Sequence, residues 1–106
     1  MTRAKLTAAA KRDVVQIRQF TVDRWGREQW LRYFAGLSEA FEQIAADLAC
    51  GRPRDMLRTG LRSLTYETHL IFFRPVRHAG GAVVILRILH QRQNLAALKF
   101  FQEFEG

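Results

Sequence analysis

Cysteine is almost absent from this sequence, since Cys50 is the only one among 106 residues. A single cysteine excludes an intramolecular disulfide and any zinc site built on cysteine pairs. Proline is also scarce, and no apolar run approaches the roughly 20 residues that a membrane-spanning helix needs. The first residues lack the continuous apolar segment of a secretory signal. We therefore expect one cytoplasmic domain over residues 1–106, with no membrane association.

Acidic residues and lysines are both outnumbered by arginine. The chain has 17 basic and 10 acidic residues, a net charge of +7, and only three of the basic residues are lysines. Most of the excess lies in residues 51–94, where eight arginines face only Asp55 and Glu67. The planar donor fork of arginine suits carboxylates and phosphates, which favours an acidic protein or a nucleic acid as partner. A GC-rich genome explains the same bias equally well.

The first predicted helix follows a threonine that can act as its N-cap. Thr7 precedes a helical pattern over Ala8–Trp25, and Gly26 ends it. The apolar side of this helix is predicted to consist of Ala10, Val14, Val15, Ile17, Phe20 and Trp25. Only Gly26 separates it from the next helical pattern, so the two helices are expected to lie antiparallel.

The second predicted helix has the clearest periodicity in the chain. Its apolar residues recur at spacings of four and three, which is typical of one buried helix face. These residues are Trp30, Phe34, Leu37, Phe41, Ile44 and Leu48. Gly51 and Pro53 end this helix, so residues 8–50 are predicted to form a helix hairpin.

Residues 60–92 change to the pattern of a β-sheet. Three β-branched and aromatic runs have strand length, namely Leu61–Tyr66, Thr68–Arg74 and Ala82–His90. Short connections, including a turn at Arg77–Gly81, predict a three-stranded antiparallel meander. The second and third runs are apolar at successive positions, which is typical of central strands buried on both faces.

Short elements at the two ends complete the predicted fold. Arg3–Thr7 is expected to form an edge strand, and Asn94 can cap a helix over Leu95–Phe104 within residues 94–106. The fold class is α+β: an N-terminal edge strand, a two-helix antiparallel hairpin packed on a small antiparallel sheet, and a short C-terminal helix. The hairpin is expected to cover one face of the sheet and to leave the other face open and basic.

The candidate functional residues lie on the predicted strands. Arg62, Arg74 and Arg87 would form an oxyanion or phosphate site on the open face if the strand register aligned them. His90 and Arg92 follow at the end of the last strand, where a histidine can act as general acid or base. The simpler interpretation is a histidine that hydrogen-bonds the next loop. No phosphate-binding glycine loop, catalytic triad or metal-ligand spacing is present, so neither a metal nor another cofactor is expected.

Five segments of the sequence resemble the ParE toxins of the ParE/RelE superfamily. They occur in the order found in that family and extend over the chain as far as Asn94. The most specific is the end of the last predicted strand, which reads Arg-Ile-Leu-His-Gln-Arg. The segments are Trp25–Gly26, Gly51–Arg54, Gly60–Leu64, His69–Arg74 and Ile85–Arg92.

This resemblance implies the toxin of a bacterial type II toxin–antitoxin module. Such a toxin is expected to bind and poison DNA gyrase without chemistry of its own, and to be neutralised by a ParD-like antitoxin. The implied target-binding residues are Arg62, Arg74, Arg87, His90 and Arg92. The candidate antitoxin anchors are Trp30, Tyr33 and Phe34, although a core position is the stronger interpretation for Trp30 and Phe34. A homo-oligomer within a toxin–antitoxin complex is also compatible with the sequence.

The RelE branch of the superfamily implies a different activity. RelE-like toxins cleave mRNA on the ribosome with a basic cluster and, usually, a tyrosine near the C-terminus. Here the only tyrosines are Tyr33 and Tyr66, and no lysine lies between Lys11 and Lys99. These departures favour gyrase over the ribosome and mRNA. In the ribonuclease alternative the catalytic candidates are Arg87, His90 and Arg92, and a third alternative is a toxin-like fold that has lost potency.

Overall fold

The computed structural model describes residues 4–47, 49–75 and 83–92. Its elements are β1 (Ala4–Leu6), α1 (Ala8–Trp25), α2 (Arg27–Ala46), β2 (Arg52–Pro53), β3 (Arg62–Tyr66), β4 (His69–Pro75) and β5 (Val83–His90). The strands form one sheet in the order β1-β5-β4-β3-β2, with the helix hairpin on one face, which confirms the α+β prediction. In this part of the chain no helix is both long and apolar enough to cross a membrane. The predicted turn at Arg77–Gly81 and the predicted last helix lie outside the described residues.

The sheet is mixed rather than antiparallel throughout. The meander β3–β4–β5 is antiparallel as predicted, but the edge strand β1 runs parallel to β5, with Ala4 opposite Val83. A parallel pair needs a long crossover connection, and here the helix hairpin lies within that connection. The two-residue strand β2 pairs with β3 at the other edge. The sequence analysis missed β2 because two residues cannot show a period.

The helix α1 begins where predicted, after a threonine whose hydroxyl both accepts and donates a hydrogen bond. The Oγ1 atom of Thr7 accepts the N–H of Ala10 at 3.0 Å, which caps the helix. The same hydroxyl donates to the carbonyl of Leu86 in β5 at 2.8 Å. The start of α1 is therefore fixed to the sheet as well as capped.

The predicted apolar side of α1 is only partly correct. Ala10 is fully buried, whereas Phe20 and Trp25 are 61% and 67% exposed, and Val15 is exposed too. The buried side includes two polar residues, Asp13 and Thr21. The face predicted from apolar residues alone is therefore rotated about the helix axis relative to the face of α1 that is buried in the structure.

The second helix follows its predicted periodicity more closely. Four of the predicted seam residues are buried, namely Trp30, Leu37, Phe41 and Ile44. Phe34 is 39% exposed, and Leu48 lies outside the described residues. The helix ends at Ala46, before Gly51 and Pro53, and the carboxylate of Asp47 then accepts the N–H of Ala49.

Both faces of the sheet carry apolar clusters. Residues of α1 and α2 pack against alternate residues of β4 and β5, including Ile71, Phe73, Ile85 and Ile88. The opposite face buries a second cluster, which consists of Leu61, Phe72, Leu86 and Leu89. The expectation that β4 and β5 are buried on both faces holds. The expectation of an open basic face is wrong, since these four residues are at most 4% exposed.

The contact between α2 and β3 depends on the absence of a side chain at Gly36. The hydroxyl of Tyr66 donates to the carbonyl of Tyr33 at 3.1 Å. A Cβ atom added at Gly36 would overlap the hydroxyl and the ring of Tyr66. The glycine therefore allows the tyrosine ring to approach the helix backbone closely.

We expect Gly36→Ala to lower the free energy of unfolding by about 1–3 kcal/mol, because the tyrosine must move out of an overpacked contact. In a Tyr66→Ala background the clash is gone, and the same substitution should raise that free energy by about 1 kcal/mol through helix propensity. Urea denaturation of the four chains measures both effects. The same sign of change in the two backgrounds would contradict this interpretation.

Candidate functional site

Arg87 is held in place by an acidic residue on the first helix. Its Nε donates to Oδ2 of Asp13 at 2.7 Å and its Nη2 donates to Oδ1 at 2.9 Å. The two side chains are 22% and 7% exposed, respectively. Such a two-point contact fixes the plane of the guanidinium group and binds α1 to β5 across 74 residues of sequence.

Asp13 also completes the hydrogen bonding of β5. The parallel partner strand β1 ends at Leu6, opposite Ile85. Beyond that point the chain has turned into α1, and Oδ2 of Asp13 accepts the N–H of Ile88 at 2.9 Å. The carboxylate thus takes the place of a strand carbonyl for an N–H group that would otherwise be buried without a partner.

Two histidines and two tyrosines meet where α2 contacts the ends of β3, β4 and β5. The hydroxyl of Tyr33 is hydrogen-bonded to Nδ1 of His69, and its ring lies edge-on to that of Tyr66 at 4.9 Å. His69 stands opposite His90 in the sheet, with ring centroids 5.5 Å apart. The N–H of Arg92 donates to Nδ1 of His90 at 3.2 Å. This bond agrees with the simpler sequence interpretation of His90.

Burial changes the acid–base properties of this cluster. It lowers the pKa of His69, and the neighbouring His90 lowers it further, whereas Asp13 acts in the opposite direction. Burial also raises the pKa of Tyr33 well above its usual range, with smaller contributions from Tyr66 and Glu67. Tyr33 therefore remains a neutral hydroxyl at physiological pH, and the neutral form of His69 is favoured.

The same residues form one wall of a cavity of about 780 Å³, which we call the α1 groove. Its other wall is the side of α1 that carries the exposed rings of Phe20 and Trp25. Polar side chains also line the groove, among them Gln16, Gln29 and Arg32. Arg87 and His90 line this groove as well.

The structure does not gather the predicted arginines into one cluster. Arg62 donates to the carbonyls of Ala49, Cys50 and Gly51, at 2.7, 3.1 and 3.2 Å, and so holds the connection between α2 and β2. The strand β4 lies between the strands that carry Arg62 and Arg87, which places their backbones about 10 Å apart.

The other sequence candidates are distributed around the molecule. Arg74 is half-buried on β4, and Arg92 is exposed just after β5. Of the three suggested antitoxin anchors, Trp30 is buried against Phe34, with ring centroids 5.2 Å apart, and Tyr33 lies in the histidine cluster.

Sequence analysis found Arg87 and His90 but missed the residues around them. Asp13 had a readable signal, because it is an acidic residue placed between Ala10 and Ile17 on the predicted apolar side of α1. Tyr66 and His69 had one too, since they flank a two-residue turn and must face each other across it. Among the described residues, no group of histidine, cysteine and acidic side chains could hold a metal ion.

Removal of the Asp13 carboxylate should be costly. We expect Asp13→Ala to lower the free energy of unfolding by about 2–4 kcal/mol, because it removes the acceptor of two guanidinium hydrogen bonds and of the buried Ile88 N–H. Asp23→Ala, an exposed position on the same helix, is the matched control and should change stability by less than about 0.5 kcal/mol. Equal urea midpoints for the two variants would show that the carboxylate is not structural.

Stability should also fall in mild acid through His69. Its folded-state pKa lies below the unfolded value of 6.5, so the unfolded chain binds the proton first as the pH falls through that value. The stability lost in this window should be smaller in His69→Gln, which cannot take up a proton. Thermal melting of both proteins between about pH 7.5 and pH 5 tests this expectation. Parallel declines of the melting temperature would contradict it.

The chain matches known toxins over most of its length. Residues 4–95 match the family described as "ParE toxin of type II toxin-antitoxin system, parDE". The chain is 34% identical over 94 residues to Toxin ParE1 of Mycobacterium tuberculosis, covering 89% of this chain and 94% of that toxin. It is 36% identical over 93 residues to Toxin ParE1 of Caulobacter vibrioides, covering 88% and 93%.

A solved structure agrees with these sequence relatives. The fold is similar to a chain of the "Chromosomal ParDE TA system from P. aeruginosa", with a TM-score of 0.69 and 29% sequence identity. The similarity covers 85% of this chain and 96% of that one. With a family match across most of the chain and relatives above 30% identity, this protein belongs to the ParE toxin family of type II toxin–antitoxin systems.

Proposed function

We propose that this ParE-family toxin acts in the cytoplasm by binding and poisoning DNA gyrase, and that a ParD-like antitoxin neutralises it. The observation that carries the proposal is the match to the ParE toxin family over residues 4–95. The similar solved chain comes from a ParDE system, which supports a ParD-like partner for this chain.

The bonding of two of the basic strand residues supports action by binding rather than by catalysis. The Nε and Nη2 groups of Arg87 donate hydrogen bonds to the carboxylate of Asp13. The Nε and Nη2 groups of Arg62 donate hydrogen bonds to three backbone carbonyls. Both arginines therefore hold elements of the fold together, and in this proposal they do not contact the target directly. Within the proposal, the target-binding surface consists of Arg74, His90 and Arg92.

The charge of the chain and its exposed apolar residues support an acidic, amphipathic antitoxin. The net charge is +7, which favours encounter with an acidic partner. Phe34 and Leu31 on α2 are 39% and 51% exposed, so an amphipathic helix seated on α2 would bury them. In this proposal Phe34 and Tyr33 contact the antitoxin, whereas Trp30 supports them from the core.

One observation favours ribosome-dependent mRNA cleavage as the second candidate. The sequence has no tyrosine after the last strand, but the fold brings Tyr33 and Tyr66 beside His69, and His69 beside His90. Hydroxyl and imidazole groups at this spacing can in principle exchange protons with a bound RNA. The buried, neutral state of Tyr33 makes it a poor acid, so we rank this candidate second.

A pair of matched variants tests the gyrase proposal. We expect the purified toxin to inhibit supercoiling by gyrase and to cause cleaved DNA to accumulate. A co-expressed ParD-like antitoxin should abolish both effects. Arg92→Ala should weaken inhibition about tenfold, since it removes one exposed cation from the contact. The control is Arg52→Ala, an exposed arginine on β2, which should leave inhibition unchanged.

The contradicting result is equally specific. If excess toxin leaves supercoiling unaffected and mRNA is cleaved in a translating extract, the target is the ribosome and the gyrase proposal is wrong. If both assays stayed negative while the antitoxin still bound, the protein would be a toxin-like fold without potency. Thermal melting of each variant shows whether a lost effect reflects lost folding.

A further inference from the structure

One side of α2 carries a row of accessible residues with opposite charges at its two ends. At about 100° per residue, the members of this row lie within about 100° of one another around the helix axis, outside the buried seam. We call the row the outer stripe, and it consists of Arg27, Leu31, Phe34, Ala35, Ser38 and Glu42. All of them are exposed except Ser38, which is half-buried. The outer stripe is therefore open to a partner.

The charges of the outer stripe do not serve α2 itself. Arg27 lies in the first turn, where the helix dipole favours an acidic residue, and no basic residue lies in the last turn. Neither the Arg27 nor the Glu42 side chain forms an ion pair or a hydrogen bond with another described residue. A cation at the start of α2 and a carboxylate near its end thus face solvent, and they match a partner that has the reverse arrangement.

The outer stripe is complementary in charge to its own copy when two copies lie antiparallel. Its midpoint falls between Phe34 and Ala35, and Arg27 and Glu42 stand at equal distances of about 11 Å on either side of it. A twofold axis at this midpoint would place Arg27 of each copy against Glu42 of the other, which gives two ion pairs. A parallel arrangement would instead place like charges together.

The same twofold axis makes the outer stripe complementary in side-chain size. Leu31 and Ser38 are also equidistant from the midpoint, so each leucine would pack against a serine of the other copy. At the axis itself, Phe34 of each copy would pack against Ala35 of the other. Large side chains opposite small ones allow two helices to interdigitate. Agreement of charge and size about one axis favours a second copy over a partner of unrelated sequence.

We propose that the outer stripe of α2 binds the outer stripe of a second copy of the toxin, in antiparallel orientation. The dimer is expected to be weak, because the stripe has only two large apolar residues and the net charge of +7 on each copy opposes association. Phe34 also belongs to the proposed antitoxin surface, so the self-association is tested on the toxin without antitoxin. It does not depend on gyrase being the target.

Sedimentation equilibrium of the purified toxin measures this association directly. We expect a monomer–dimer equilibrium with a dissociation constant of about 10–100 µM. A single monomeric species up to about 1 mM would overturn the proposal and would leave the outer stripe to a different partner, such as the antitoxin.

Charge reversal tests the predicted ion pairs. Arg27→Glu and Glu42→Arg should each weaken the dimer about tenfold, because each places like charges together at two positions. Their combination in one chain should restore the dimer, and so should an equimolar mixture of the two single variants, in which every pair is again opposite in charge. A double variant in which the two losses add would overturn the proposal.

The direction of the Arg27→Glu effect separates local pairing from overall repulsion. This substitution lowers the positive net charge, so a dimer limited only by overall repulsion would become stronger rather than weaker. Arg52→Glu is the matched control, since it makes the same charge change at an exposed position on β2, and it should not weaken the dimer. Equal weakening by Arg27→Glu and Arg52→Glu would overturn the proposal. Thermal melting of each variant shows whether it is folded.

A thiol at the midpoint of the stripe tests the antiparallel register. In a Cys50→Ser background, Ala35→Cys should be joined to its own copy by a bismaleimide of about 8 Å span, because the two thiols would meet near the twofold axis. Glu28→Cys, exposed on the same helix, would lie about 20 Å from its own copy along the axis and should remain unlinked. Equal crosslinking of the two variants would overturn the predicted register.

Discussion

The carboxylate of Asp13 is the interaction on which the arrangement of the molecule depends. It accepts three hydrogen bonds, two from the guanidinium group of Arg87 and one from the N–H of Ile88. The strand β1 provides only three residues of pairing to β5, so the remainder of that strand would lack a partner on this side. Asp13 supplies the missing acceptor and fixes α1 against the sheet. The position of α1 in turn sets the width of the groove that it lines.

This contact changes the interpretation of the basic strand end. From the sequence, Arg87 is a candidate cation of the functional site, whereas its bidentate bond to a nearly buried carboxylate identifies it as an anchor between α1 and β5. A buried ion pair contributes little net stability over an apolar pair, but it defines one relative placement of two elements. The polar side chains of this region that do not fix α1 to β5 are the two histidines at the end of the sheet and the exposed Arg92 after β5.

Most of the fold was predictable because its elements have clear periods, whereas the pairings without local signals were not. The bounds of α1 and the three strands of the meander follow from N-capping, apolar spacing and strand composition. The parallel pairing of β1 depends on a crossover that no local pattern encodes, and β2 is too short to have one. The site shows the same division. Arg87 and His90 stand out in a strand, but the partner of Arg87 is 74 residues away and lies among the helical residues.

Apolar clusters on both faces of the sheet restrict where a partner can bind. A strand added at an edge needs several consecutive N–H and C=O groups, yet the described edge strands are only three and two residues long, and Pro53 in β2 has no N–H to offer. Edge pairing alone is therefore a weak basis for recognition in this part of the chain. The surfaces that remain are the outer sides of the helices, the end of the sheet at His90 and the α1 groove between them. Since Tyr33 lies in this groove and Phe34 follows it on the outside of α2, a partner seated on α2 would extend over the mouth of the groove.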